Sequence, residues 1–197
     1  MRMRPFVVLL LMLTNVALGQ ISRTGNFGAR IIVTGKAEKY PDTRSWKAVI
    51  SARGGRKLYE VTKPIPFDVG LPTVAVSDQG GQSVIVSSSD GTVEFYGSKG
   101  ELLHTVQPFG NNTFGEERTI RCSVAGNSAA LLISAPGMEQ AVLLLTDLQG
   151  NELWRRAVAE QHACEVFLSD DARYVLSATY STRGVSLHAT RVFDIEG

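Results

Sequence analysis

A glycine-terminated segment recurs along the sequence at a spacing of about 50 residues. Asp147–Gly150 and Asp194–Gly197 are nearly the same tetrapeptide, 47 positions apart, and a related segment, Gly97–Gly100, begins 50 positions before the earlier of the two. Each segment follows a short apolar run. Gly97–Gly100 and Asp147–Gly150 also lead into a second apolar run. A recurring spacing of about 20–50 residues is typical of proteins that stack one supersecondary unit repeatedly. The sequence therefore predicts a repeat protein.

Between the repeated segments, short apolar runs are separated by residues that favour turns, such as Asp90-Gly91. This pattern predicts antiparallel meanders of short strands. Two four-stranded units are expected at 72–106 and 119–158, and two partial units at 30–62 and 164–197. The predicted fold class is all-β: an array of four-stranded antiparallel blades, incomplete at its ends.

Many of the strand runs are apolar without interruption, for example Val84–Val86 and Leu131–Ile133. A sheet with one face in water would alternate apolar and polar residues, so continuous runs predict burial on both faces, with each sheet packed between two others. The rival interpretation is a helix over Asn151–Phe167, which contains good helix formers and no Pro or Gly. We expect a strand at Glu152–Val158.

Three motifs resemble known propeller repeats. Ser88–Tyr96 followed by Lys99–Leu103 resembles the repeat of PQQ-like β-propellers, whose ending Thr-Gly-x-x-Leu-Trp is partly kept at Asp147–Trp154. Ser169–Val175 resembles the Ser-x-Asp-Gly-Arg-Tyr turn of WD40-type propellers, with Ala172 in place of the glycine. The resemblance covers roughly 49–197. It implies blades arranged radially, usually four to eight of them.

This resemblance implies an architecture and leaves the activity open, because fold and function are separable. Quinoprotein dehydrogenases, the enzymes most associated with these repeats, need a much larger barrel with metal ligands and a cofactor-stacking tryptophan. The chain has two tryptophans, Trp46 and Trp154. Trp154 stands where the repeat ending has its own tryptophan, which has a structural role. We therefore expect no enzyme activity and no cofactor.

The first 19 residues have the pattern of a secretory signal peptide. Arg2 and Arg4 form a basic start, Phe6–Leu13 is an unbroken apolar run, and Ala17–Gly19 supplies the small residues read by signal peptidase. The run is shorter than the ~20 apolar residues that span a bilayer. We expect cleavage before Gln20, a secreted or periplasmic mature domain at 20–197, and no membrane span after cleavage.

Composition excludes some partners. Without Arg2 and Arg4, the mature chain has 18 basic and 19 acidic residues, a net charge of −1. No Lys/Arg cluster is present, so nucleic acid is not an expected partner.

The sequence contains no recognisable catalytic or metal-binding motif. His104, His162 and His188 are isolated, whereas zinc sites show clustered ligands. The pair Asp170-Asp171 is a short acidic turn, and calcium needs six or more oxygen ligands. We predict no catalytic, metal-binding or cofactor-binding residues.

Two cysteines are too few for a disulfide scaffold, but they fall on the first strands of neighbouring units. Cys122 and Cys164 are therefore a candidate disulfide if their Cα atoms come within about 7 Å.

The longest connection between two predicted units is Gln107–Arg118, and it is the candidate partner-binding loop. Its candidate contact residues are Phe109, Asn111, Asn112, Phe114 and Arg118. In propellers, connections between blades and loops between second and third strands share one face, which partners commonly bind. A tolerated surface insertion is the alternative interpretation.

Three functional hypotheses remain from the sequence. The leading one is an exported, non-catalytic propeller that acts as a binding or scaffolding module for a protein or an extracellular or periplasmic ligand. The second is an N-terminal fragment of a larger propeller enzyme whose active site lies elsewhere. The third is a small closed four-bladed structural protein. Because the last unit stops at a turn, we expect an uncovered sheet edge and face that promote self-association.

Overall fold

A computed structural model of the chain describes residues 19–22, 24–34, 45–64, 72–87, 91–109, 119–134, 140–158, 163–180 and 187–195. These residues form four antiparallel sheets, in which strands that follow one another along the chain are neighbours. The first sheet contains β1 (Gly19–Ile21), β2 (Phe27–Thr34), β3 (Ser45–Ala52) and β4 (Lys57–Pro64). The second contains β5 (Thr73–Val76), β6 (Ser83–Val86), β7 (Val93–Tyr96) and β8 (Leu102–Val106).

The third sheet contains β9 (Thr119–Ala125), β10 (Ser128–Ser134), β11 (Ala141–Asp147) and β12 (Glu152–Val158). The fourth has three strands among the described residues: β13 (Ala163–Leu168), β14 (Tyr174–Tyr180) and β15 (Leu187–Asp194). The predicted all-β class is confirmed. The helix considered over 151–167 is not formed in the described part of that segment, because β12 and β13 occupy it.

The first sheet is larger than the partial unit predicted at 30–62. It has four strands between Gly19 and Pro64, and β1 pairs with the start of β2 through Gln20 opposite Ala29. β1 has only three residues and continues directly from the apolar N-terminal segment, so the sequence pattern gave no separate signal for it. The connection between Thr34 and Ser45, which is polar in sequence, joins the second and third strands of this sheet.

Successive sheets pack face to face through three separate apolar cores. In β6, Val84 and Val86 point into the core shared with the third sheet, while Ile85 points into the core shared with the first. In β10, Leu131 and Leu132 divide in the same way between the second and fourth sheets. All five side chains are at most 5 % exposed. The predicted burial on both faces is confirmed, and it explains why these strands lack alternation.

The first strands of the sheets lie side by side along the inside of the array. β5 is in contact with β1 and β9, and β9 with β13, while the fourth strands β8 and β12 are largely exposed. Between the inner strands, the Leu168 N–H donates a hydrogen bond to Ser123 Oγ at 3.0 Å. Across the described residues the sheets form an open array and not a closed ring.

The recurring glycine-terminated segments are the turns between third and fourth strands, and a ring from the preceding sheet packs against each of the first two. Gly100 and Gly150 have φ of +85° and +88°. A Cβ on Gly100 would lie 2.9 Å from Tyr59 Cδ2, and one on Gly150 would lie 2.6 Å from His104 Cβ. Trp154 occupies the matching position on β12 and contacts the Phe193 ring edge-on at 5.9 Å. The spacing between these two turns therefore reflects one inter-sheet contact that is formed in two successive units.

A polar contact reinforces the Tyr59 position. Its hydroxyl donates to the Gly81 carbonyl at 2.8 Å and lies 2.9 Å from Ser83 Oγ, so the first and second sheets are joined through a buried phenol. Burial raises the pKa of Tyr59 to about 12, since the charged phenolate would lose its hydration.

Gly150→Ala should destabilise the protein more than Gly54→Ala. Gly54 has a similar φ of +82°, but a Cβ added there would have nothing within 4 Å, so its substitution carries only the left-handed backbone cost of about 1–2 kcal/mol. At Gly150 the overlap with His104 adds about 1–3 kcal/mol of overpacking. Equilibrium unfolding in urea measures both free energies, and equal losses would contradict the packing role of the ring.

Candidate binding site at one end of the array

The two ends of the sheets differ in the length of their connections. In a meander, the start of the first strand, the end of the second and the start of the third lie at the same end, as the pairing of Ser134 with Thr119 shows. Connections at this end span up to twelve residues. We call it the long-connection end; it comprises 35–44, 65–72, 87–92, 107–118, 135–140, 159–162 and 181–186. The opposite, short-turn end has connections of two to six residues: 22–26, 53–56, 77–82, 97–101, 126–127, 148–151 and 169–173.

Contacts between turns align the short-turn ends of all four sheets. The Thr24 N–H donates to Asp78 Oδ2 at 3.2 Å, joining the first and second sheets. Ser77 Oγ donates to the Gly126 carbonyl at 2.8 Å, joining the second and third. Gly126 lies beside Ala172 of the fourth sheet. Because these ends coincide, the strand ends that flank the long connections lie together at the other end of the array.

Internal hydrogen bonds tighten the short turns. Asp147 Oδ1 accepts the N–H groups of Gln149 and Asn151 at 2.9 and 2.8 Å. Ser169 Oγ accepts the Tyr174 N–H at 2.8 Å. Side chains that satisfy nearby backbone donors hold a turn in one conformation. The short-turn end is therefore built for rigidity.

One residue of the acidic pair in the last turn, Asp171, has a structural role. Asp171 Oδ1 accepts hydrogen bonds from Ser169 Oγ at 2.6 Å and from the Arg173 N–H at 3.1 Å. These two bonds, the Ser169 hydroxyl first, lower the pKa of Asp171. Ala172 takes φ of +57°, the conformation for which the related propeller turn has glycine.

The candidate partner-binding loop is described at its start. Phe109 is half-buried against the core of the second and third sheets, and its Cδ2 lies 2.7 Å from where a Cβ of Gly91 would be. Its ring thus packs against the two sheets, and only part of the ring surface is left for contact with a partner. The other predicted contact residues, Asn111, Asn112, Phe114 and Arg118, lie outside the described residues and stay predictions.

A cavity of about 220 Å³ lies among the inner strands of three consecutive sheets. It is lined by Thr73, Val74, Ala75, Arg121, Cys122 and Glu165. Thr73 begins β5, and Arg121 and Glu165 are the third residues of β9 and β13, so the cavity lies toward the long-connection end. Arg121 is exposed and Glu165 half-buried, so the cavity wall carries one basic and one acidic side chain.

Sequence reasoning missed Arg121 and Glu165. Each is the one charged residue of its strand, which is a usable signal, but the two are 44 positions apart and only the stacking of β9 and β13 brings them to one cavity.

A second cavity of about 470 Å³ lies at the outer rim between the second and third sheets. Its lining is mostly polar: His104, Thr105, Val106, Gln107, Leu144, Thr146, Gly150, Asn151, Glu152 and Arg155. Arg155 donates to Glu152 at 2.7 Å, and His104 packs on Gly150. These contacts use the side chains for packing and surface pairing.

Among the described residues, no three His, Cys, Asp or Glu side chains are grouped closely enough to hold a metal ion. His104 lies on β8, whereas His162 and the side chain of His188 are outside the described part. In the same part of the chain no helix is long and apolar enough to cross a membrane.

Cys122 is a partly buried free thiol on β9. Its side chain belongs to the face that packs on the second sheet, with Val124 and Leu131. Burial raises the pKa of the Cys122 thiol to about 12. The side chain of Cys164 lies outside the described part, so the Cys122–Cys164 disulfide stays a prediction.

Cys122 should react slowly with iodoacetamide at pH 8 in the folded protein. A pKa near 12 instead of 9 lowers the thiolate fraction about a thousandfold, and the thiolate is the nucleophile. Alkylation followed by mass spectrometry on the native and the urea-unfolded chain, with Cys164→Ser to isolate this site, measures the ratio of rates. Equal rates before and after unfolding would refute the protection.

Comparison with known proteins identifies the fold. No family model matches the chain, and no curated protein matches it in sequence. The similar solved structures include the Dos1 propeller, at 10 % identity and a TM-score of 0.51 over 86 % of this chain. They also include hydrazine synthase from Kuenenia stuttgartiensis, at 11 % identity and a TM-score of 0.52 over 88 %.

A third similar structure is the dihydro-haem d1 dehydrogenase NirN in complex with DHE, at 14 % identity and a TM-score of 0.50 over 90 % of this chain. The chain corresponds to 42 %, 49 % and 34 % of these three chains, less than half of each. The identities are low, so the likeness shows the fold alone. The four sheets are blades of a β-propeller fold.

Proposed function

We propose that the chain is an exported, non-catalytic β-propeller module that binds a protein or an extracellular or periplasmic ligand at its long-connection end. The observation that carries this proposal is the asymmetry of the two ends. Hydrogen bonds such as Ser77 Oγ to the Gly126 carbonyl lock the short turns together. The longer connections join strand ends at the other end of the sheets, and binding residues commonly lie on such loops when a rigid scaffold positions them.

The inner-strand cavity supports the same location. Arg121 and Glu165 line it near the strand ends that lead into the long connections, so the cavity is bordered there by side chains of both charges. Specific binding needs a few placed polar groups with larger contact surfaces around them. The candidate residues Phe114 and Arg118 would provide that larger contact surface, since aromatic residues and arginine dominate binding energy at interfaces.

The binding role predicts loss of the partner from a loop variant. Tagged wild-type chain should recover a partner from the secreted or periplasmic fraction of the source cells, and Phe114→Ala/Arg118→Ala should weaken that complex at least about tenfold. Lys99→Ala/Gln149→Ala, which changes two exposed side chains at the short-turn end, is the matched control. Circular dichroism melting confirms that each variant is folded.

Isothermal titration with the recovered partner gives the three dissociation constants. If the loop variant binds like wild type and the control variant loses the partner, the binding surface lies at the short-turn end. That result would contradict the proposal.

Export is the second part of the proposal. Cleavage before Gln20 would leave the pairing of Gln20 with Ala29 and of Ile21 with Gly28, so the first blade keeps its inner strand. N-terminal sequencing of the secreted protein should read Gln-Ile-Ser. A product retaining Met1 would contradict the signal peptide.

The alternative function, part of a larger propeller enzyme, is favoured by one observation. Two of the similar structures are named as a synthase and a dehydrogenase, and the chain matches less than half of each. A reading frame that continues past the Gly197 codon in genomic DNA would favour this alternative over the binding module.

A further inference from the structure

The peptide bond at the expected signal-peptide cleavage site lies within a β-ladder of the folded chain. This bond joins Gly19 to Gln20, and both residues belong to β1. Gly19 is opposite Arg30, and Gln20 is opposite Ala29, on the neighbouring strand β2. The backbone on both sides of the bond is therefore part of the first sheet.

Hydrogen bonds in the adjoining turn hold β1 against β2. The Ser22 N–H donates to the Phe27 carbonyl at 2.8 Å, and Ser22 Oγ accepts the Phe27 N–H at 3.1 Å. Pairs in an antiparallel ladder alternate between hydrogen-bonded and non-hydrogen-bonded. Gln20 and Ala29 lie two positions further along the register, so they form a hydrogen-bonded pair as well. The hairpin is thus closed directly beside the bond.

The second blade adds further contacts to this hairpin. β1 is in contact with β5, the inner strand of the second sheet. In the turn that follows β1, the Thr24 N–H donates to Asp78 Oδ2 at 3.2 Å. Ala29 belongs to the apolar core that the first two sheets share. Release of β1 from the sheet therefore breaks contacts to both blades.

We infer that the folded first blade protects the bond between Gly19 and Gln20, so that signal-peptide removal has to precede closure of the β1–β2 hairpin. A protease cleaves a bond in a folded region when that region opens, and the rate then follows the population of the open form. A chain that folds with its leader attached keeps the leader. A chain that is cleaved first begins with Gln20 and completes its first blade afterwards. This order of events rests on the export part of the proposed function, because it requires cleavage before Gln20.

An order-of-addition experiment with the full chain, residues 1–197, tests the protection. In one sample the chain is diluted out of urea into liposomes that already contain signal peptidase. In the other the enzyme is added after refolding. Mass spectrometry of the N-terminus measures cleavage between Gly19 and Gln20. The refolded chain should be cleaved at least about tenfold more slowly, because its bond is available only in the open fraction.

A proline variant tests whether the pairing of β1 causes the protection. Ala29→Pro removes the N–H that pairs with Gln20, so the refolded variant should be cleaved at least about tenfold faster than refolded wild type. The matched control is Ala178→Pro on β14. Ala178 is opposite Glu165 on the inner strand of the fourth sheet, and it is 5 % exposed, as is Ala29. This control should be cleaved as slowly as refolded wild type, and circular dichroism melting shows that each variant is folded.

The outcomes separate the protection from the export proposal. Cleavage that requires the enzyme during folding, with acceleration confined to Ala29→Pro, supports both. Equal cleavage of wild type in the two orders of addition would overturn the protection and leave export intact. Equal acceleration by the two proline variants would also overturn it, because overall stability would then explain the slow cleavage. If neither order gives cleavage at this bond, the expected signal-peptide site is wrong and the inference fails with it. The wild-type comparison decides the result where a proline variant does not fold.

Discussion

Every blade except the ends is held by apolar side chains on both of its faces, and the rest of the structure depends on this packing. Adjacent residues such as Leu131 and Leu132 enter two different cores. A single blade of four short strands buries too little surface alone, so neighbouring blades stabilise one another. Backbone pairing fixes the strands within a blade, and the inter-blade cores fix the blades relative to one another.

Much of this architecture could be predicted from the sequence, because it is encoded locally. Continuous runs such as Val84–Val86 indicate burial on both faces, and Asp90-Gly91 marks a hairpin. The three-residue β1 could not be recognised, since so short a strand follows an apolar leader without a break. The packing of Tyr59 on Gly100 and of His104 on Gly150 could not be predicted from the sequence either. Those contacts are 41 and 46 positions apart and depend on how blades stack.

The site was predictable only in outline. The length of 107–118 is the sequence signal for the candidate binding end, and the turn contacts align the opposite ends of the sheets. Binding at 107–118 stays a prediction. The role of Phe109 was not foreseen, because a ring in a long connection reads as available for binding whereas here it packs beside Gly91. Arg121 and Glu165 were missed because two isolated charges on separate strands become neighbours only after the inner strands align.

The rings on the outer strands have a geometric consequence for blade number. Inner strands lie side by side near the axis, and the outer strands diverge, so a ring held against the next blade acts as a wedge at the rim. A thicker wedge opens a larger angle between two blades, and a larger angle means fewer blades per full turn. Tyr59, His104 and Trp154 differ in size at one equivalent position. The angle between two adjacent blades therefore has two supports, the inner strands that lie side by side and the ring contact at the outer strands.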